Sequence, residues 1–423
     1  MLLYAKGSPM TTLTTDDVRS GLSESLGKLG AKSRVLAIPP DITRIHSQAG
    51  VLTEMVWEYY GEQLRDVLPA IGTHYPMTAR EIGAMFGNIP AHLFRVHDWR
   101  GGLATLGEVP AEYVKQISEG VVDYSIPVQV DKLLVEGNYD LILSIGQIVP
   151  HEVIGMAGYN KNVFVGTGGS EVINKTHFLG AAYGMERIMG RSNTPVRSVL
   201  NYASDHFAKQ LPIVYVLTVI GRTDEGTLVI RGLYIGDDIE CFEKAAELSL
   251  KVNFELLEQP LNKVVVYLDP SEYKSTWLGN KSIYRTRMAI ADGGELIVLA
   301  PGLSQFGEDK EIDVLIRKYG YVGTPQVLNL VRHNPDLQKS LSAAAHLIHG
   351  SSEGRFTITY APGNISKKEI ENVNFRYARL EQMMQKYNPQ TMKNGLNVMP
   401  GGEEVFFISN PGLGLWSTKS RFV

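Results

Sequence analysis

Short aliphatic runs recur along this chain, each separated from the next by a longer amphipathic stretch. They are RVLAI at 34–38, VLPAI at 67–71, DLILSIG at 140–146, IVYVLTVI at 213–220, TLVIR at 227–231, KVVVYL at 263–268, ELIVLA at 295–300, FTITY at 356–360 and VFFIS at 405–409. Runs this brief and this continuous suit strands covered on both faces, and the long connections suit helices, so the pattern constrains the chain to an α/β fold with mainly parallel sheets. Helices are expected at 49–65 and 240–258, the second opened by Asp237, Asp238 and Glu240, an acidic start that suits a helix N-terminus. At 423 residues the chain exceeds what one hydrophobic core supports. Two α/β domains are therefore expected, 1–259 and 260–423. The boundary is placed at Glu258-Gln259-Pro260, where a proline follows a helix and a fresh strand begins.

Composition narrows the function. A formal charge of −4, with no block of lysine and arginine, leaves no electrostatic footprint for nucleic acid or for an anionic membrane surface. The opening MLLYAKGSP has too short an apolar run for a secretory signal, and no stretch approaches a membrane span, so a cytoplasmic address and a small-molecule ligand are expected. Cys241 is the single cysteine, which excludes an intrachain disulfide and any metal site built on several thiolates. A metal would rest on histidine, on oxygen ligands or on a bound organic group.

Three of the runs lead into chemistry. RVLAI leads to Pro-Pro-Asp41-Ile-Thr-Arg44, VLPAI to Gly72-Thr-His74, and DLILSIG to Gln147-Ile-Val-Pro150-His151. Ligands of open α/β sheets bind beyond the carboxyl ends of the strands, so a carboxylate, a guanidinium and two imidazoles are expected on one rim. Singly, each has a plainer reading: Asp41 could cap a helix, and either histidine could be a hydrogen-bonded loop residue. Together the two imidazoles suit a narrow task, since histidine gives and takes protons near neutrality. A base on one face of a substrate and an acid on the other is what inverting a stereocentre requires.

A second group follows. In Gly155-Met-Ala-Gly158-Tyr-Asn-Lys161 and Gly166-Thr-Gly168-Gly169-Ser, glycines let backbone approach a ligand closely and turn free amides toward an anion. A bulky phosphorylated group would fit Gly168 and Gly169, although neither a Walker A loop nor GxGxxG is present. A solvated lysine is the alternative for Lys161, and a helix-start or core position the alternative for His177. His92, His97, Asp98 and Arg100 read as a surface loop rather than a metal site, and His206, His333, His346 and His349 carry no signal.

The order and spacing of His74, then His151-x9-Lys161-x15-His177, preceded by Asp41-Ile-Thr-Arg44, resemble the nickel-pincer nucleotide-dependent lactate racemase family, with motifs over roughly residues 35 to 300. The resemblance implies two α/β domains with the active site in the cleft between them, and an isomerase of 2-hydroxy acids. It implies a pyridinium-3-thioamide-5-thiocarboxylic acid mononucleotide carrying nickel, attached through Lys161, with His177 as the metal ligand and Tyr284, Gly168 and Gly169 beside the cofactor. His74 and His151 would be the acid/base pair, and Arg44 would hold the substrate carboxylate, with Asp41 in the surrounding shell. Cofactor-biosynthesis proteins would be partners. A cofactor carbon that takes the α-hydrogen as hydride, while a histidine takes the hydroxyl proton, avoids a carbanion beside a carboxylate. Soft sulfur donors with one imidazole suit square-planar nickel and need no cysteine.

The chain departs from the relatives that act on lactate. Where these carry Tyr-Gln-x-x-Lys, it reads Tyr284-Arg285-Thr286-Arg287-Met288, and Tyr75 follows His74 where an arginine is expected. Arg285 could offer a bidentate fork to a carboxylate, whereas Arg287 reads equally as an exposed helix residue. With the polar stretch Trp277-Leu-Gly-Asn280-Lys281, these changes favour a longer hydroxylated substrate, an aldonic acid of the gluconate/mannonate kind, over lactate or another short 2-hydroxy acid. Two other classes compete: a magnesium-dependent sugar-acid dehydratase, for which no carboxylate triad stands at the strand ends, and a non-catalytic organic-acid-binding protein.

Overall fold

Helix and strand alternate along the chain as the aliphatic runs require, and in the computed structural model, which describes residues 1–223 and 226–422, they form two compact units. The first comprises Met1–Thr176 and Met189–Asn253; the second comprises His177–Ile188 and Phe254–Val423. The sequence boundary after Gln259 thus lies close to the observed change at Phe254. The short stretch 177–188, which sequence reading kept with the first domain, groups with the second unit.

The first unit is built on a six-stranded sheet of β1 (Leu2–Gly7), β2 (Val35–Ile38), β3 (Leu64–Val67), β4 (Leu141–Gln147), β5 (Ile213–Arg222) and β6 (Leu228–Gly236), in the order β1-β6-β5-β4-β2-β3. β3, β2, β4 and β5 run parallel, and β6 and β1 close one side as antiparallel strands. Alternate residues Val35 and Ala37, Leu141, Leu143 and Ile145, Val214 and Val216, and Leu233 and Ile235 share one core with Val18, Leu22 and Leu26 of α1 (Thr15–Lys28) and Leu52, Met55 and Val56 of α2 (Ala49–Tyr60). The residues between them, among them Leu36, Ile38 and Ile142, are also fully buried. Cover on both faces is why these strands read as unbroken apolar runs, and each such leucine or isoleucine contributes about 1.5–3 kcal/mol by leaving water. A capping box fixes the start of α1: the Asp17 amide donates to Thr14 Oγ1 and the Thr14 amide donates back to Asp17 Oδ2.

The second unit carries its own six-stranded sheet, of β7 (Leu261–Tyr267), β8 (Ile290–Ala300), β9 (Thr357–Pro362), β10 (Arg376–Tyr377), β11 (Gly395–Val398) and β12 (Glu404–Ile408), in the order β10-β9-β8-β7-β12-β11. Only the pair β11 and β12 is antiparallel. Val265, Ile297, Leu299, Ala361, Val405 and Phe407 cluster with Tyr387 on one side of it.

Some expectations shift. The run at 67–71 is largely irregular, because its strand ends at Val67. The helix expected to reach residue 65 stops at Tyr60, where Gly61 turns to φ 52. The helix expected to reach 258 ends at Asn253, and Phe254–Leu257 becomes a strand paired with Leu415–Thr418. No helix among the described residues is long and apolar enough to cross a membrane.

Candidate active site

The strands that carry the expected rim are neighbours, β4-β2-β3, and parallel, so their carboxyl ends lie side by side. Pairing continues past them: Pro40 and Ala70 form a parallel bridge, and the Ala70 amide donates to the Pro39 carbonyl at 2.7 Å. The next residue after Pro40 is Asp41, and Gly72-Thr-His74 follows Ala70 closely. Backbone pairing therefore sets the carboxylate and the first imidazole next to each other.

Asp41 is 4% exposed, and its two oxygens do different work. Oδ1 accepts the Thr43 amide at 3.1 Å, capping the 3-10 helix Ile42–Ser47, while Oδ2 lies 2.6 Å from His74 Nδ1. Asp41 caps the helix and reaches His74 with the same carboxylate. Burial works to raise the Asp41 carboxyl, but the hydrogen bond and charge of His74, the Thr43 hydroxyl and the charge of Arg44 together hold it below the usual carboxylate range. A carboxylate at Nδ1 places the ring hydrogen there, and in the neutral ring that leaves the Nε2 lone pair of His74 as a proton acceptor. Arg44 stands on the same 3-10 helix, at φ −117 and ψ 26, partly buried. Its guanidinium makes no hydrogen bond or ion pair with the described residues.

His151 lies in a short ladder, Pro150–His151 against Gly155–Met156, and is buried. The Val153 amide donates to its Nδ1 at 3.1 Å, and Glu152 Oε2 is 3.7 Å from the same nitrogen. An amide donor at Nδ1 puts the neutral ring's hydrogen on Nε2, the opposite tautomer from His74. One imidazole thus presents a lone pair at Nε2 and the other an N–H.

Lys161 enters a single π-helical turn, Asn162–Gly166, a wide geometry that often marks functional positions. Its flanking asparagines are both pinned: Asn160 Nδ2 donates to Asn201 Oδ1 at 2.9 Å, and Asn162 Nδ2 donates to the Ile145 carbonyl of β4 at 3.0 Å. The Gly72 amide donates to the Gly166 carbonyl at 2.8 Å, tying the loop of His74 to the turn of Lys161. The lysine amine has no hydrogen-bond partner among the described residues. Burial pushes it from 10.5 down to about 8, with the charges of Arg44 and Arg197 acting the same way and those of Glu152 and Asp41 opposing. It is an amine of low basicity, held in the field of the groups that surround the two histidines, and not the solvated lysine of the plainer reading.

The glycines after it need correction. Gly168 and Gly169 are buried, with their space filled by the protein: a Cβ at 168 would lie 2.0 Å from the Phe164 carbonyl oxygen, and one at 169 would lie 2.4 Å from Gln129 Oε1. They serve close backbone packing rather than an open anion loop. The partner of Gly168 is a residue that sequence reading placed on the surface. His97 is 2% exposed, and its ring nitrogens reach Asp131 Oδ2 at 2.8 Å and the Gly168 carbonyl at 3.0 Å. Asp131 Oδ1 in turn accepts the Leu133 amide at 3.0 Å. Asp131 is adjacent to no recognisable motif, so nothing local in the sequence announced the pair.

The remaining expected residues lie in the second unit. His177 stands on α3 (Ser170–Tyr183), partly buried, at the residue where that unit begins. Tyr284 ends the short helix Lys281–Tyr284 and is buried. Arg285, expected at the substrate carboxylate, is 1% exposed; its Nη1 donates to the Gly414 carbonyl at 3.0 Å, while its Nε has no hydrogen-bond partner among the described residues. Arg287 is not the exposed helix arginine: it is 4% exposed and paired with Glu186 at 3.2 Å. Glu186 also takes Arg355 Nη1 at 2.5 Å.

Comparison with known proteins agrees with this architecture. Residues 21–187 match the lactate racemase N-terminal domain family. A crystal structure of a protein from Thermotoga maritima, 26% identical, superposes with a TM-score of 0.83 over 98% of this chain and 100% of that one. The lactate racemase apoprotein from Thermoanaerobacterium thermosaccharolyticum, 16% identical, superposes with a TM-score of 0.69 over 97% and 93% of the two chains. No curated protein matches the chain. Fold and family match thus define an α/β protein with a lactate-racemase-like N-terminal domain.

Proposed function

We propose that this protein inverts the C2 carbon of a 2-hydroxy acid, with an aldonic acid of the gluconate/mannonate kind as substrate. The observation that carries the reading is Lys161: a poorly basic amine with no hydrogen-bond partner among the described residues, in the field of Asp41, Arg44 and Glu152. An amine in that state can be acylated, which fits attachment of a nickel-pincer nucleotide. Among the described residues no three histidine, cysteine, aspartate or glutamate side chains gather as a metal site. A nickel ion would therefore draw its other donors from the organic group, with His177 as the candidate imidazole ligand. Such a group supplies, when bound, a carbon able to take up and return a hydride.

The chain's own residues do the rest. Arg44 holds the substrate carboxylate through a guanidinium not engaged elsewhere in the described residues. His74 Nε2 takes the hydroxyl proton, with Asp41 steadying the charge that forms on the ring. His151 serves the opposite face, giving a proton when its ring is charged and accepting one when neutral, and the two exchange roles in the reverse direction. The sugar-acid preference rests on the departures at Tyr75 and 284–288. With Arg285 and Arg287 both buried, it leans on the loss of the second cation and not on a new one.

The test uses protein coexpressed with cofactor-making enzymes and incubated separately with D-gluconate and D-lactate, following the C2 epimers. Epimerisation of gluconate is expected. Turnover of lactate alone overturns the substrate choice, and binding of either acid without turnover by the nickel-loaded protein favours the organic-acid-binding reading.

A further inference from the structure

Arg197, on α4 (Pro195–Phe207), is 1% exposed and forms no ion pair among the described residues. A buried guanidinium without a carboxylate is costly, and an apolar side chain of similar size would often stabilise the fold more. Its hydrogen bonds all go to one place. Nη1 donates to Asn160 Oδ1, and Nη2 donates to the carbonyls of Met156 at 2.6 Å and Gly158 at 3.5 Å. Its Nε has no partner among the described residues, and the Phe242 ring lies 4.3 Å from the guanidinium carbon. The acceptors all belong to the five residues before Lys161. That segment needs holding, because Gly158 sits at φ 75 and Tyr159, which has a side chain to accommodate, at φ 58. The same helix supplies Asn201 and Ser204, which accept both Asn160 Nδ2 hydrogens, at 2.9 and 3.1 Å.

We propose that Arg197 is the positioning residue for Lys161, its guanidinium clamping residues 156–160 into the turn that presents the amine. The proposal rests on the reading of Lys161 as the acylated amine and explains why a cation stands where packing alone would place an apolar residue. The clamp also acts through charge: burial lowers the Arg197 guanidinium only to about 9, so at neutral pH it remains a cation and disfavours a second one at Lys161.

The test compares the full-length chain with Arg197→Met and Arg197→Lys. Lys161 is labelled competitively with acetic anhydride across a pH series and read by peptide mass spectrometry, while amide exchange is followed over 156–162. In Arg197→Met the labelling midpoint rises above that of the wild type, and exchange quickens about 10-fold or more, as expected for loss of charge-assisted hydrogen bonds. Arg197→Lys keeps the midpoint low, because the charge remains, but quickens exchange, because the fork is gone. A folded Arg197→Met with both readouts unchanged overturns the proposal. Should that variant not fold, Asn160→Ala removes one branch of the clamp, and unchanged exchange over 156–162 overturns the proposal equally. A wild-type chain that gains no adduct yet shows these shifts defeats the anchor reading and leaves the clamp standing.

Discussion

Asp41 Oδ2 lies 2.6 Å from His74 Nδ1 while its other oxygen caps the helix that carries Arg44. The carboxylate therefore sets the tautomer of His74 and the place of Arg44 at once. Asp41→Asn keeps a capping oxygen but removes the charge that steadies a protonated ring. In the cofactor-loaded enzyme it is expected to lower kcat about 10²-fold or more with little change in KM. A rate close to wild type would remove His74 from the proton transfer.

The same carboxyl has a stability signature. It is held below its ordinary 3.8 in the folded chain, so its contribution is fully present above that value and is lost as pH falls through the lowered one. Urea unfolding of wild type and Asp41→Asn should differ at neutral pH and converge on acidification. A difference that does not depend on pH would assign the loss to packing.

Lys161 runs the other way. With a folded value of about 8 against 10.5 unfolded, the unfolded chain binds more protons between those limits, so stability rises with pH across that window. Lys161→Met, free of the penalty, should be more stable than wild type below pH 8 by about 3 kcal/mol, and the gap should close toward pH 10.5. Denaturant titrations at three pH values check it.

Acylation of that amine has a direct readout. Intact-mass measurement on chain coexpressed with cofactor-making enzymes should show an adduct, and Lys161→Ala should abolish it. Full activity at unmodified mass would exclude the covalent role.

His97 tests the support under the site. His97→Leu leaves the Asp131 carboxylate and the Gly168 carbonyl buried without their partner, a loss of about 1–3 kcal/mol for each unsatisfied group. A lowered Tm of the apoprotein is the measurement. An unchanged Tm would show that water replaces the ring.

What the sequence disclosed follows from range. Parallel strands buried on both faces leave continuous apolar runs, so β2, β4, β5 and β7 to β9 were legible, and with them the rim bearing Asp41, His74 and His151. Strands such as Leu103–Val109 and Ile126–Asp131 have one partly open face and mixed composition, and they went unseen. His97 looked superficial because its partner, Asp131, lies 34 residues away and leaves no local trace. Gly168 and Gly169 were misread for a related reason: a glycine demanded by a ligand and one demanded by a neighbouring carbonyl look identical in one dimension. Arg197 carried no signal at all, since its acceptors are mostly main-chain atoms.

The second unit takes residues 177–188 from the middle of the first unit's sequence, and Glu186, the carboxylate shared by Arg287 and Arg355, lies in that borrowed piece. A gene fragment starting at Phe254 would thus encode two arginines stripped of their common counter-ion, one of them deep in the interior. Dissecting this protein by simple truncation is therefore a poor strategy, whereas supplying the 177–188 peptide in trans, or rejoining the chain in a permuted order, respects how the two units are interleaved.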